Sequence, residues 1–194
     1  MTSLALFHSV LGVRPGVLAA ADLLRSHGYS VTVVDQYDGR VFDDYEEADA
    51  YARSIGYEAL MKSAAAAASE IDLPFVVGGF SNGGGMSEYV AATTSGVVGA
   101  LLFSGAIDPA MIGIDRWPAG VPVQIHYTVD DPFRNQQWID AVERLVRSSG
   151  AAVHLWDYPG AGHLFTDQSL PGEYSAGASR LLWERALMFL RQVG

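Results

Sequence analysis

The sequence predicts an α/β fold: a mostly parallel sheet with helices on both faces. Three observations predict it. Short apolar runs of strand length alternate with stretches whose apolar residues recur at helical spacing. Several of the apolar runs are uninterrupted rather than alternating, as in strands covered on both faces. No repeat or low-complexity tract breaks the alternation, and 194 residues suit one domain, 1–194. Strand-helix alternation of this kind implies parallel pairing through right-handed crossovers.

Residues 4–8 are a short apolar run that ends in Ser9-Val10-Leu11-Gly12-Val13-Arg14-Pro15-Gly16, and 17–26 follow with helical spacing. Residues 29–35 are β-branched and continuous, a second strand, closed by the turn Tyr37-Asp38-Gly39-Arg40. The acids of Asp43-Asp44-Tyr45-Glu46-Glu47 stand at the start of a helix, where its dipole stabilises them and solvent covers them. That helix runs to about Ile55, breaks near Gly56 and resumes over 57–70, where alanines 64–68 favour helix and permit close packing. A third strand begins at Phe75 and leads into a helix over 83–93. Residues 97–103 are a fourth strand, followed by the loop Ser104-Gly105-Ala106-Ile107-Asp108-Pro109. A fifth strand over 121–127, an amphipathic helix over 136–148, a sixth strand over 152–158 and a closing helix over 176–193 complete the chain.

Composition restricts the function classes. With 22 acids against 12 bases the formal charge is -10, which repels nucleic acid and anionic membrane alike. A small neutral or cationic ligand fits the charge better. There is no cysteine, which removes thiolate catalysis and disulfides. No histidine pair has metal-ligand spacing, and Gly83-Gly84-Gly85 lacks the lysine of a phosphate loop, so neither metal nor cofactor is expected. Nothing reads as a signal peptide or a membrane span, and a cytoplasmic location is expected.

Chemistry centres on Gly79-Phe80-Ser81-Asn82-Gly83. A serine between glycines two residues away on either side, at the end of a strand and the start of a helix, has the layout of a nucleophile elbow. A serine hydroxyl needs a base to take its proton and an acid to orient that base, and the elbow predicts the order Ser, Asp or Glu, His. Of five histidines, only His163 stands in a loop after the last strand; His8 and His126 precede the acid, His27 closes a surface helix, and His154 lies within a strand, pointing at a helix layer. Asp131, after the fifth strand, is the preferred acid, with Asp130 its near rival and Asp108 a third choice. Aspartate before proline is also an ordinary turn, so two of the three are structural. Asn82, at the helix start, and Val10, in the loop after the first strand, supply candidate backbone donors for an oxyanion.

These residues resemble the dienelactone hydrolase family of α/β-hydrolases. The resemblance is carried by Phe7-His8-Ser9-Val10-Leu11-Gly12, the Gly79 to Gly84 elbow, Asp131-Pro132-Phe133, Pro159-Gly160-Ala161-Gly162-His163-Leu164-Phe165 and the closing Glu184-Arg185-Ala186-Leu187-Met188-Phe189-Leu190. It implies an α/β-hydrolase sheet of six strands in the order 2-1-3-4-5-6, no large lid, a triad of Ser81, Asp131 and His163, and oxyanion amides at Val10 and Asn82. The founding enzymes have cysteine where Ser81 stands, glutamate where Ser9 stands, and an arginine for the substrate carboxylate where Asp167 stands. Asp167 is therefore expected to repel an anionic substrate, with Arg14, Arg40 or Arg134 as candidate replacement charges. The expected activity is hydrolysis of a small ester, lactone or thioester through an acyl-enzyme on Ser81, in a small open pocket touching Ser9, Tyr37, Trp117 and Phe133. Acyl transfer by the same triad, or a degenerate member that binds a small molecule or protein without turnover, are the alternatives.

Overall fold

The computed structural model describes residues 2–194. Its frame is one six-stranded sheet, entirely parallel, in the order β2-β1-β3-β4-β5-β6, as the resemblance implied. The strands are β1 (Ser3–Phe7), β2 (Ser30–Val34), β3 (Phe75–Phe80), β4 (Val97–Phe103), β5 (Val123–Thr128) and β6 (Val153–Tyr158). The helices are α1 (Pro15–Ser26), α2 (Tyr45–Ile55), α3 (Tyr57–Ala68), α4 (Asn82–Thr93), α5 (Gln136–Ser148) and α6 (Ala176–Val193). A 3-10 turn over Pro109–Ile112 begins at the last residue of the loop read from sequence. Among the described residues no helix is long and apolar enough to cross a membrane.

Burial follows strand position. β1 and β3, in the middle of the sheet, are buried at every residue, which is why their sequences are continuous rather than alternating. β6, at the edge, exposes His154 and Asp157, so His154 faces solvent and not a helix layer. Helix starts follow local chemistry: Asp44 caps α2 by accepting from the Glu47 N–H, and Asn135 caps α5 through the Gln137 and Trp138 N–H groups. Gly56 separates α2 from α3 with φ 94°, a conformation that only glycine adopts freely.

The sheet order reverses between β1 and β3, because the chain steps from β1 out to β2 and then returns to the far side of β1. Loops leaving the carboxyl ends of β1 and β3 thus flank a crevice at the switch point. Ser81 and Val10 sit there.

Candidate active site

Ser81 follows β3 directly, with φ 51° and ψ -117°. Such a conformation costs a non-glycine residue about 1–3 kcal/mol and persists only when its surroundings enforce it. The surroundings here leave no room: a Cβ on Gly79 would fall on the Gly83 carbonyl, and one on Gly83 would come within 2.5 Å of the Phe7 and His8 carbonyl oxygens. The flanking glycines are thus a packing requirement of the turn. Its backbone is tied by the Ser81 N–H, which donates to Phe103 O at 2.7 Å, and by Ser81 O, which accepts from the Gly84 N–H at 2.8 Å.

His163 Nε2 lies 2.7 Å from Ser81 Oγ, and its Nδ1 lies 2.8 and 3.0 Å from the two oxygens of Asp131. An ionised carboxylate can only accept, so Nδ1 carries the hydrogen and Nε2 is left to accept from the Ser81 hydroxyl. Asp131 is buried, and its Oδ1 also accepts from the Phe133 N–H at 2.8 Å. The rival acids lie away from His163 Nδ1: Asp130 is exposed, and Asp108 caps the 3-10 turn by accepting from the Ala110 N–H at 3.0 Å.

The other buried histidines are held neutral. His8 donates from Nδ1 to Ser9 O at 2.6 Å and accepts at Nε2 from the Gln36 N–H at 3.1 Å; burial lowers its pKa. His126 lies inside β5 between Tyr158 and Gln124, and burial lowers its pKa to about 3.

Four residues with no sequence signal hold the His163 loop. Ser104 Oγ donates to His163 O at 2.8 Å, Thr128 Oγ1 donates to Gly162 O at 2.9 Å, and Glu173 Oε2 accepts from the Leu164 N–H at 2.6 Å. Glu173 also accepts from the Tyr45 hydroxyl at 2.9 and 3.1 Å. The Tyr45 ring then packs on Phe133 at 5.2 Å between centroids, and Phe133 stands edge-on to the His163 ring at 4.7 Å.

Ser81 and His163 open into a cleft of about 1210 Å³ that also reaches Val10, Asn82 and Phe133. It is far larger than the small pocket expected from the sequence. Neither the Val10 nor the Asn82 N–H donates to a backbone carbonyl among the described residues, and that of Asn82 is free because it opens α4.

Three sequence expectations about the pocket are corrected. Tyr37 turns into the core, edge-on to His8 and Tyr51, where burial pushes its hydroxyl up to about 12. Trp117 is buried and donates from Nε1 to Val121 O at 2.8 Å. Ser9 accepts from the Leu11 N–H at 3.2 Å and faces a separate recess of only about 10 Å³, which it shares with Arg14 and Asp167.

The argument from Asp167 is corrected as well. Asp167 is buried outside the cleft, accepts from both the N–H and the hydroxyl of Ser169, and lies 3.6 Å from Arg14 Nε. Its charge is matched locally and does not face a substrate. Arg14 is spent on Asp43 and on Phe42 O, Arg134 on Asp157, and Arg40 lies over the Tyr51 ring. None of the three lines the cleft.

A family model described as the dienelactone hydrolase family matches residues 3–194. The chain belongs to that family. Solved structures of similar fold include a dienelactone hydrolase-like promiscuous phosphotriesterase from metagenomic libraries, with TM-score 0.82 and 20% identity over 100% of this chain and 87% of that one. A putative dienelactone hydrolase from Klebsiella pneumoniae gives TM-score 0.79 at 19% identity, covering 99% and 87%. Esterase 2 of Thermogutta terrifontis, phosphorylated by paraoxon, gives 0.64 at 18%, covering 100% and 83%. At these identities the likeness speaks to the fold. No curated protein matches the sequence. The family is one of hydrolases, by the description of its model.

Proposed function

We propose that this family member is a cofactor-free serine hydrolase that cleaves an uncharged carboxylic ester, lactone or thioester. The observation that carries the reading is the unbroken hydrogen-bond chain from Ser81 through His163 to Asp131, with the serine on a strained turn. In the first half-reaction Ser81 Oγ attacks the substrate carbonyl carbon while His163 Nε2 takes its proton. The oxyanion is held by the Val10 and Asn82 N–H groups, and Asp131 supports the imidazolium. Collapse expels the leaving group, which receives the proton from His163, and leaves an acyl-enzyme on Ser81. Water then gives its proton to His163 as it attacks the acyl carbon, and Ser81 leaves with that proton restored.

The preference for uncharged substrates rests on the cleft's own charges. Its lining contains Glu46, Asp49 and Glu58 but no arginine, and its single lysine, Lys62, is paired with Glu58 at 2.6 Å. A substrate carboxylate would find no free cation. Acyl transfer shares the first half-reaction and differs only in the acceptor; product analysis with added alcohols or amines separates the two. A binder without turnover would leave the triad unused.

Labelling tests the reading. A fluorophosphonate, or paraoxon as in the Thermogutta terrifontis esterase, should modify Ser81 in the folded protein and block ester hydrolysis. Folded protein that neither reacts nor hydrolyses any ester would overturn it.

A further inference from the structure

The cleft reaches well beyond Ser81. One arm of it is lined by α3 and α4, which pack side by side. On α4 its lining residues are Asn82, Gly85, Tyr89 and Thr93, a spacing that marks one stripe along the helix. From Asn82, next to the nucleophile, to Thr93 that stripe runs about 16 Å at 1.5 Å per residue. On α3 the facing residues are Tyr57, Glu58, Met61 and Lys62. Both helices belong to crossovers of the parallel sheet, so both run back from the carboxyl ends of the strands and away from Ser81. The groove therefore leads away from Ser81 along the length of α4, with the first half of α3 as its facing wall.

Its volume and lining restrict what fills it. About 1210 Å³ exceeds the roughly 300–1,000 Å³ of an ordinary small-molecule site, so a short ester would leave most of it empty. Gly85 contributes no side chain to the lining one turn beyond Ser81, where a Cβ would come within 3.3 Å of the Ile107 side chain, another lining residue. Beyond the glycine come Met61 and Tyr89, and the near rim carries the exposed apolar side chains Met111, Phe133 and Tyr57. Of the lining carboxylates, Glu58 is paired with Lys62, and Asp49 with Arg53 and the Tyr57 hydroxyl, while Glu46 is exposed to solvent. No unpaired cation waits for an anionic terminus.

We propose that the groove between α3 and α4 binds an extended, uncharged, apolar arm of the ester substrate, continuous with its scissile carbonyl at Ser81. The proposal rests on the hydrolase reading and deepens it from any small ester to long-chain ones. The arm belongs to either the acyl or the alcohol half, and both halves can be varied.

The test compares kcat/KM of the wild type on p-nitrophenyl acetate, octanoate and laurate, and on acetates of correspondingly longer alcohols, all below their micelle concentrations. The octanoate-to-acetate ratio, or its alcohol counterpart, should be at least about tenfold, given the free energy of burying each methylene. Lys62→Trp, at an exposed position midway along the groove, should bring that ratio near one. Thr93→Trp, at the exposed far end, should lower turnover of laurate while sparing octanoate; it also serves if Lys62→Trp folds poorly, as judged by circular dichroism. Ratios at or below one in both series, or ratios that neither substitution lowers, would overturn the proposal. Absence of turnover on every ester, with no modification of Ser81, would instead remove the hydrolase reading and the groove proposal with it.

Discussion

Ser81 and Ser104 stand at the carboxyl ends of the neighbouring strands β3 and β4, share φ 51°, and both donate their hydroxyl to His163. Ser81 reaches the ring at Nε2, whereas Ser104 reaches the backbone oxygen. The two turns interlock: a Cβ on Gly105 would fall on Ser81 O, and the Ser81 N–H is bonded to Phe103 O. One backbone device thus serves two ends. At Ser81 it presents an oxygen to a nitrogen that can take its proton, and at Ser104 to a carbonyl that can only hold it. Strain at a strand end is therefore not by itself the mark of a nucleophile; what the hydroxyl faces decides.

The largest expected effect breaks the pair at its reactive member. Ser81→Ala should lower kcat by on the order of 10⁶-fold, as removal of a triad nucleophile does, with little change in Tm because the hydroxyl has no structural partner besides His163. Residual activity within tenfold of wild type in burst-free kinetics would place the nucleophile elsewhere. Asp131→Asn comes next. The amide can present an N–H to Nδ1 and favour the wrong tautomer, so the loss should be on the order of 10⁴-fold. If Asp131→Asn is harmless while Asp130→Asn or Asp108→Asn is not, the acid is misassigned.

Ser104 should behave differently. Ser104→Ala removes one tether of the His163 loop and leaves the His163 carbonyl buried without it, for about 1–2 kcal/mol of stability and roughly tenfold in kcat through misplacement of the imidazole. Ser104→Gly separates strain from tether: it relieves φ 51°, so its Tm should exceed that of Ser104→Ala, while kcat stays equally low. A Tm no higher for glycine than for alanine would show that the turn at Ser104 stores no strain.

The hydrogen-bonded set Ser81, His163 and Asp131 was legible because each member follows a strand end, and strands announce themselves by apolar runs. Chain order joined Ser81 to His163 but left Asp130 and Asp108 as rivals, and the geometry puts Asp131 against His163 Nδ1. The tethers were not legible. Ser104, Thr128 and Glu173 hold their partners across 59, 34 and 9 residues, and a serine and a glutamate in loops or a threonine at the end of a strand carry no pattern that says what they will face. Tyr37 misled for a related reason. It follows β2, as a site residue should, but β2 is the outer neighbour of β1, and its loop folds over His8 and Tyr51 rather than the crevice. Asp167 misled because its position relative to His163 was read as exposure to substrate, while Arg14, distant in sequence, takes up its charge. Fold follows from local periodicity, whereas pocket walls depend on which way loops turn after the strands end.

The smallest expected effect concerns the link between the two serine turns. Glu88, on the helix that Ser81 opens, is buried and accepts from the Ile107 N–H, in the loop that Ser104 opens, at 2.8 Å. Its other oxygen has no partner, and burial, reinforced by Asp108, raises its pKa well above the ordinary glutamate value. The folded protein therefore keeps a proton that the unfolded chain releases once pH passes the ordinary value. Because the native state binds more protons there, stability falls as pH rises, by about 1.4 kcal/mol per unit until the raised pKa is reached. Glu88→Gln keeps an acceptor for Ile107 and has nothing to ionise. Urea denaturation should find it more stable than wild type at pH 8, with the gap narrowing toward pH 5, while turnover changes less than twofold because neither serine has moved. A gap that widens toward acid would mean that Glu88 is ionised in the folded protein, and the bridge between the turns would then be a charged one.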